Sequence, residues 1–151
     1  LSSDSEASRA RAAELATQLR KEYSSTRYAD YAALMQARLA VEASDYPVAE
    51  KHLRELVDTS KDAALQEVAR QRLARVLAQQ ERAEEGLALF ASPVEGSELK
   101  AGREEVRGDL LLALGRKSEA RAAYQAAIEA LEDASARPQL QLKLDDLAEE
   151  A

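Results

Sequence analysis

The sequence predicts an all-α protein, and three observations support this prediction. Of the 151 residues, 32 are Ala and 22 are Leu, which are both strong helix formers. Only 5 Gly, 3 Pro, 1 Phe and no Trp are present, whereas a β-sandwich or barrel needs turn residues about every 8 to 12 positions and strands rich in Val, Ile, Thr and aromatic residues. Apolar residues also recur at the spacing of one helix face.

Residues that interrupt this periodicity divide the chain into about eight helices. Hydroxyl side chains at 24–26 compete for backbone hydrogen bonds, Asp45 offers an N-cap with Pro47 in the following first turn, Gly115 suits a left-handed helix end, and Pro138 opens the last helix. The helices are expected at about 6–23, 28–43, 46–57, 63–79, 83–91, 98–114, 117–133 and 138–149.

Charge and cysteine content narrow the partners. The net charge is −7 and the pI is about 4.9, so we expect neither nucleic acid nor an anionic lipid surface as a partner. The chain has no Cys, which fits either the cytosol or the bacterial periplasm. No apolar run approaches the roughly 18 residues of a membrane span, and no signal peptide is visible.

The chain contains an internal repeat. Each copy has a small residue in its second helix and a large residue four positions later. These pairs are Ala49 and Leu53, Gly86 and Phe90, and Ala120 and Tyr124. The preceding helix of each copy also has a small residue at an equivalent point, namely Ala37, Ala74 and Gly108. A fixed period of this kind is typical of a solenoid, in which stacked hairpins cover one another's apolar faces.

This pattern resembles the tetratricopeptide repeat, a helix hairpin of about 34 residues. Residues 112–127 match it most strongly. The chain departs from it where Ala33, Arg70 and Glu104 replace the large aromatic residue early in the first helix, and where the first spacing is longer. A helical bundle without repeats is the alternative. The predicted single domain divides into a truncated leading repeat at 6–27, repeats at 28–60, 61–97 and 98–134, and a C-terminal capping helix at 135–151.

The last helix is expected to close the solenoid. Leu140, Leu144 and Leu147 form its apolar stripe. Its polar outer side is expected to carry Lys143, Asp145, Asp146, Glu149 and Glu150.

A tetratricopeptide superhelix binds segments of other chains on a concave face lined mostly by the first helix of each hairpin. The repeat register places these residues on that face: Tyr31, Leu34, Arg38, Val41, Gln71, Arg75, Glu105, Asp109 and Leu112. The Arg side chains would pair with carboxylates or carbonyl groups of an extended peptide, while Tyr31 and Leu34 bury its apolar side chains. Alternatively, the charged residues are solvated and pair with one another for at most about 1 kcal/mol.

The sequence does not indicate a catalytic or metal site. His52 is the single His and lies within a helix between Lys51 and Arg54, which is typical of a surface or interface residue. The acidic neighbours at 104–105 and 145–146 diverge by about 100° on a helix and cannot share a proton or a metal ion. We therefore expect no enzymatic activity, no metal and no cofactor.

The order of the segments resembles one family. Leu-Ala-Arg-Val at 73–76 and Arg-Gly-Asp-Leu-Leu at 107–111 are the most specific parts of a likeness that extends over about 12–147. On these segments the chain is similar to the periplasmic domain of the YfgM family of bacterial inner-membrane proteins.

The resemblance implies a single N-terminal membrane span, absent from these 151 residues, followed by a helical domain at the periplasmic face of the inner membrane. Members act as ancillary subunits of the Sec translocon. They associate with a membrane-anchored chaperone that resembles prolyl isomerases, and they help newly exported proteins toward folding. The family has no catalytic residues to transfer.

Two other functions stay open. The chain could be another envelope tetratricopeptide scaffold, similar to outer-membrane assembly lipoproteins, that docks proteins without binding clients. It could also be an enzyme or a ligand-gated regulator, for which a deep polar pocket would be needed. The exposed edges of a short repeat array can pair, so a homodimer is compatible with the sequence.

Overall fold

A computed structural model describes residues 2–24 and 26–149, and within them every regular element is helical. The elements are α1 (Ser2–Glu22), α2 (Arg27–Glu42), α3 (Tyr46–Thr59), α4 (Ala63–Gln79), α5 (Ala83–Ala88), α6 (Ser97–Ala113), α7 (Lys117–Ala130), a short 3₁₀ helix (Ala134–Ala136) and α8 (Pro138–Glu149). The predicted all-α class is confirmed, and α4 and α8 have the predicted bounds.

The chain forms two compact units, Leu1–Val76 and Leu77–Ala151. The first contains α1, α2, α3 and most of α4, and the second contains the end of α4 with α5 to α8. In the first unit α2 packs against both α1 and α3, and in the second α7 packs against both α6 and α8. Neighbours in sequence are therefore neighbours in space, as short turns require.

One turn recurs three times, between α2 and α3, between α4 and α5, and between α6 and α7. Its residue with positive φ is Ser44 (57°), Glu81 (60°) or Gly115 (75°). In each copy the next residue donates its N–H to a carbonyl five positions earlier: Asp45 to Ala40 (2.8 Å), Arg82 to Leu77 (2.9 Å) and Arg116 to Leu111 (2.9 Å). This is the Schellman helix end. The same backbone turn thus follows each of the three helices in which the sequence repeat places a small residue.

The α3 N-terminus has the predicted cap, because Asp45 Oδ1 accepts a hydrogen bond from the Val48 N–H (3.3 Å) and Pro47 lies in the first turn. Two other helices end earlier than predicted. Helix α7 stops at Ala130 rather than near 133, and just beyond it Asp133 Oδ1 accepts from the N–H (2.9 Å) and hydroxyl (2.7 Å) of Ser135. Such a side chain offers the backbone an alternative to the helix.

Helix α5 ends at Ala88 instead of near 91. The buried Arg103 of α6 donates to the carbonyl oxygens of Phe90 (3.5 Å) and Ser92, and its guanidinium lies 5.3 Å from the centroid of the Phe90 ring. Arg103 thus satisfies carbonyl groups that, in a longer α5, would accept hydrogen bonds from the helix's own N–H groups.

Helices α6 and α7 cross closely at Gly108 and Tyr124. A Cβ atom on Gly108 would lie 2.3 Å from Cε1 and 2.5 Å from Cδ1 of the Tyr124 ring. The ring is 1% exposed, and its hydroxyl donates to Asp109 Oδ1 (2.8 Å). The predicted small and large positions therefore meet at this point.

The equivalent residues of the other copies are mostly buried as well. Ala37, Ala49 and Leu53 belong to the core of the first unit, and Ala74 and Gly86 are also buried, whereas Phe90 is half-buried. Leu140, Leu144 and Leu147 of α8 pack into one apolar cluster with Leu111, Ala120, Ala123, Tyr124 and Ala127.

We predict that Gly108→Ala destabilises the protein by up to about 2 kcal/mol, because overpacking in a rigid core costs about 1–3 kcal/mol and is offset only in part by the roughly 1 kcal/mol that Ala gains over Gly in a helix. The measurement is the free energy of unfolding in urea. In a Tyr124→Leu background the same substitution should be neutral or stabilising, because the ring that it would meet is gone. An equal loss in both backgrounds would contradict the proposed crossing.

Candidate partner-binding surfaces

The predicted binding residues of α2 divide between its surface and the core. Tyr31, Arg38 and Val41 are exposed, and Arg38 Nε donates to Glu42 Oε1 (2.9 Å) one turn later. Leu34 is only 9% exposed. It lies at the inner border of the helix and cannot bury a partner's side chain as predicted. Tyr31 and Arg38, seven residues apart, share one outer face of α2.

On α4, Arg75 is exposed and Gln71 is half-buried. The Gln71 amide donates to Glu67 Oε1 (3.0 Å), and Glu67 is buried with Arg70 Nη1 3.6 Å from its other oxygen. Gln71 thus contributes to a local polar network, whereas the Arg75 side chain reaches the surface.

In the second unit two of the predicted binding residues of α6 are already bound by side chains of this chain's C-terminal part. Glu105 is 4% exposed and accepts hydrogen bonds from Arg137 Nη1 (2.8 Å) and Lys143 Nζ (3.0 Å). The same Lys143 Nζ donates to Asp109 Oδ1 (2.7 Å) and lies 5.5 Å from the centroid of the Tyr124 ring. Glu105 and Asp109 therefore hold a helix of their own chain, while Leu112 stays exposed.

The Glu105 carboxylate stays charged in this setting. Burial acts to raise its pKa, but the hydrogen bonds and positive charges of Lys143 and Arg137 outweigh burial and hold the pKa below its ordinary value. The ion pairs join residues 32 and 38 positions apart in sequence, so they fix where α8 lies on α6.

The predicted position of Lys143 on the outer side of α8 is wrong. Lys143 lies one turn from both Leu140 and Leu147, at the border of the buried stripe, and its long side chain reaches inward to α6. Asp145 and Asp146 are exposed as predicted, whereas Glu150 and the side chain of Glu149 lie outside the described part of the chain. A basic residue one turn from two stripe leucines was the signal available in the sequence.

Sequence reasoning found only Tyr31 of a larger exposed apolar surface on the first hairpin. It is formed by Leu15, Leu19, Tyr23, Tyr28, Tyr31 and Met35, which are 39% to 66% exposed, and we name it the first-hairpin stripe. Leu15 and Leu19 of α1 and Tyr23 just after it follow an i, i+4, i+8 spacing, and the Tyr23 N–H still donates to the Leu19 carbonyl oxygen (2.9 Å). The residues of α2 follow an i, i+3, i+7 spacing, so each set lies on one helix face. The two rows meet at the turn, where the rings of Tyr23 and Tyr28 pack edge to face at 6.0 Å.

Arg20 connects α1 to α2 and α3. Its guanidinium donates to Gln36 Oε1 (2.8 Å), to His52 Nδ1 (3.2 Å) and to Glu55 Oε1. Because a guanidinium can only donate, His52 Nδ1 must accept and cannot carry a proton. Burial, and then the positive charge of Arg20, lower the pKa of His52. The single His thus has a structural role in the first unit.

In the described residues no helix is long and apolar enough to cross a membrane. The same part of the chain has no group of three or more His, Asp or Glu side chains that could hold a metal ion.

Comparison with known proteins identifies the family. The model of the tetratricopeptide repeat-like domain family matches residues 1–149. The chain belongs to this family. The backbone turn that recurs three times and the small residue at the α6–α7 crossing are structural features expected of a helical repeat.

Two relatives carry the name "Ancillary SecYEG translocon subunit". The one from Neisseria gonorrhoeae is 37% identical over 132 residues, which cover 87% of this chain and 63% of that protein. The one from Aggregatibacter actinomycetemcomitans is 34% identical over 137 residues, or 89% of this chain and 65% of that protein. These relatives confirm the resemblance drawn from the sequence, and the chain spans somewhat less than two thirds of their length. No solved structure matches it significantly.

We predict that α8 is fastened by its ion pairs. Lys143→Met should lower the free energy of unfolding by about 1–3 kcal/mol, because a buried carboxylate loses a charged partner. Adding Glu105→Gln should recover part of this loss, because the orphaned charge is then removed. Urea unfolding of both variants and of the single Glu105→Gln variant measures the coupling, and additive losses would contradict it.

We also predict a loss of stability on mild acidification that depends on His52. Its folded-state pKa lies below the unfolded value of 6.5, so the contribution of neutral His52 is complete above that pH and is lost as the pH falls through the lowered pKa. The melting temperature of the wild type, measured by thermal unfolding, should fall as the pH is lowered from about 7 to about 5.5, where few carboxylates titrate. His52→Gln should flatten this part of the profile, and an unchanged slope would contradict the assignment.

Proposed function

We propose that this chain is the protein-binding domain of an ancillary subunit of the Sec translocon. The observation that carries the proposal is its identity of 34% and 37% to two proteins of that name over 89% and 87% of its length. Membership of a repeat family whose helices stack around shared apolar faces also supports a scaffold that binds proteins rather than an enzyme.

The partner-facing residues proposed for this role are those that reach the surface from the first unit. Tyr31 and Arg38 on α2 and Arg75 on α4 are exposed, and Tyr and Arg are the residue types that most often anchor protein interfaces. An Arg fork can pair with a carboxylate or with backbone carbonyl groups of a bound segment. Glu105 and Asp109 are not included, because their carboxylates are engaged by α8.

The resemblance to the YfgM family extends the proposal. We place the domain at the periplasmic face of the inner membrane, in association with a membrane-anchored chaperone and with newly exported chains. An envelope scaffold that docks folded proteins without binding clients would use the same surface, and the captured partners distinguish the two.

The test is site-specific photo-crosslinking in intact cells that make the natural gene product. A photoreactive amino acid replaces Arg38 or Arg75, and cross-linked partners are captured and identified. We expect translocon subunits from both positions, with exported chains in addition if the domain binds clients. Recovery of outer-membrane assembly proteins instead would favour the scaffold.

A matched control comes from the same unit. Lys51 on α3 is exposed and is also a long cationic residue, but it is outside the proposed surface. We expect at least about a tenfold lower yield of translocon cross-links from this position, as for a difference in local affinity of about 1.4 kcal/mol. Equal yields from Lys51, Arg38 and Arg75 would contradict the proposed surface.

A further inference from the structure

We propose that the first-hairpin stripe is an interface through which two copies of this chain pair, with their α1 helices antiparallel across a two-fold axis. This inference goes beyond the proposed function, because it concerns assembly of the chain with itself. The stripe consists of six large apolar side chains, of which Tyr28 is 66% exposed. Contiguous apolar patches of this kind mark interaction sites on soluble proteins.

The contacts of the hairpin leave this face open. Arg20 of α1 bonds to His52 and Glu55, so α3 approaches α1 from the side of Arg20. Residues 15, 19 and 23 project from a different side of α1 than Arg20, because successive residues turn by about 100°. In the second unit, by contrast, the apolar face of α7 is covered by the leucines of α8.

The area of the stripe suits a dimer. A fully buried Tyr contributes about 150–250 Å², and Leu and Met somewhat less, so three Tyr, two Leu and one Met that are about half exposed offer roughly 500–600 Å² per copy. Two copies would bury roughly 1,000–1,200 Å², which is the lower end for a specific interface. A patch of apolar side chains is also complementary to itself, as an isologous two-fold interface requires.

Charge favours this face over others. The chain carries a net charge of −7, so two copies repel each other over most approaches. Along the sequence of α1 the charges balance, because the basic residues Arg9, Arg11, Arg20 and Lys21 offset the acidic residues Asp4, Glu6, Glu14 and Glu22. Two copies therefore meet with little repulsion along α1.

The positions of two of these charges specify a register. Antiparallel α1 helices that place Leu15 opposite the partner's Leu19 also bring Arg11 beside the partner's Glu22. Arg11 and Glu22 are exposed and lie on the same border of the stripe, because 11 residues correspond to about three helical turns. Arg11 Nη1 also donates to Glu14 Oε2 of its own helix (2.7 Å), and its guanidinium has further N–H groups for the partner's Glu22. A two-fold axis keeps that border facing itself, so the ion pair forms twice.

The first measurement is sedimentation equilibrium of the chain across a wide concentration range. We expect a reversible dimer, with a dissociation constant raised at least about 100-fold by Leu15→Glu together with Leu19→Glu. The matched control is Leu142→Glu, at an apolar α8 residue that is 65% exposed, and it should leave the dimer unchanged. Helical circular dichroism establishes that each variant is folded. A chain that stays monomeric at every concentration overturns the proposal, whichever other molecule covers the stripe.

The second measurement tests the register by charge reversal. Arg11→Glu and Glu22→Arg should each weaken the dimer several-fold, and the double variant should restore it. Within one helix the two residues are about 16 Å apart and cannot pair, so restoration reports a contact between copies. Failure of the double variant to recover overturns the antiparallel register.

Tyr31 belongs both to the stripe and to the proposed partner-binding residues, so the tests that separate the dimer from the proposed function use other residues. Leu15 and Leu19 are outside the proposed partner-binding residues, so the doubly substituted chain should still give translocon cross-links from Arg38 and Arg75. Loss of dimer with retained cross-links supports the inference, whereas loss of the cross-links as well would show that the stripe is the partner-binding surface itself and would overturn it.

Discussion

The second unit depends on one contact, in which the aromatic ring of Tyr124 lies directly on the backbone of Gly108. The absence of a Cβ atom allows α6 and α7 to approach this closely. The approach in turn brings the Tyr124 hydroxyl to Asp109, and Asp109 shares Lys143 with Glu105. A backbone contact between two helices thus determines where the third helix, α8, is fastened.

The two units differ in which helix faces are covered by other parts of the chain. In the second, Lys143 of α8 binds the carboxylate of Glu105 on α6, and the leucines of α8 cover the apolar face of α7. In the first, Arg20 satisfies one side of the α1–α2 hairpin through Gln36, His52 and Glu55, whereas the first-hairpin stripe stays exposed. The first unit therefore presents a contiguous exposed apolar surface to which other proteins can bind.

Helix positions were largely predictable because they depend on local chemistry. Asp45 and Gly115 act through their own backbone and side-chain geometry, and both have the predicted roles. One error came from local chemistry, because Asp133 binds Ser135 just after α7, and the others occurred where distant residues intervene. Arg103 holds the carbonyl groups after α5, and Lys143 turns inward to Glu105 and Asp109. These interactions join positions 13 to 38 residues apart in the chain. The spacing of Lys143 from Leu140 and Leu147 indicated its inward side chain, but no periodicity identified the carboxylates that it binds.

The sequence by itself determined the all-α class, most of the helix bounds and the small residue at the α6–α7 crossing, because these follow from helix propensity, turn chemistry and a fixed period. Only the tertiary structure decided which charges are available to a partner. Glu105 and Arg38 are both charged residues on the first helix of a repeat, but one is buried under α8 and the other is at the surface. That difference depends on which helix packs against each residue, and packing is a property of the folded chain.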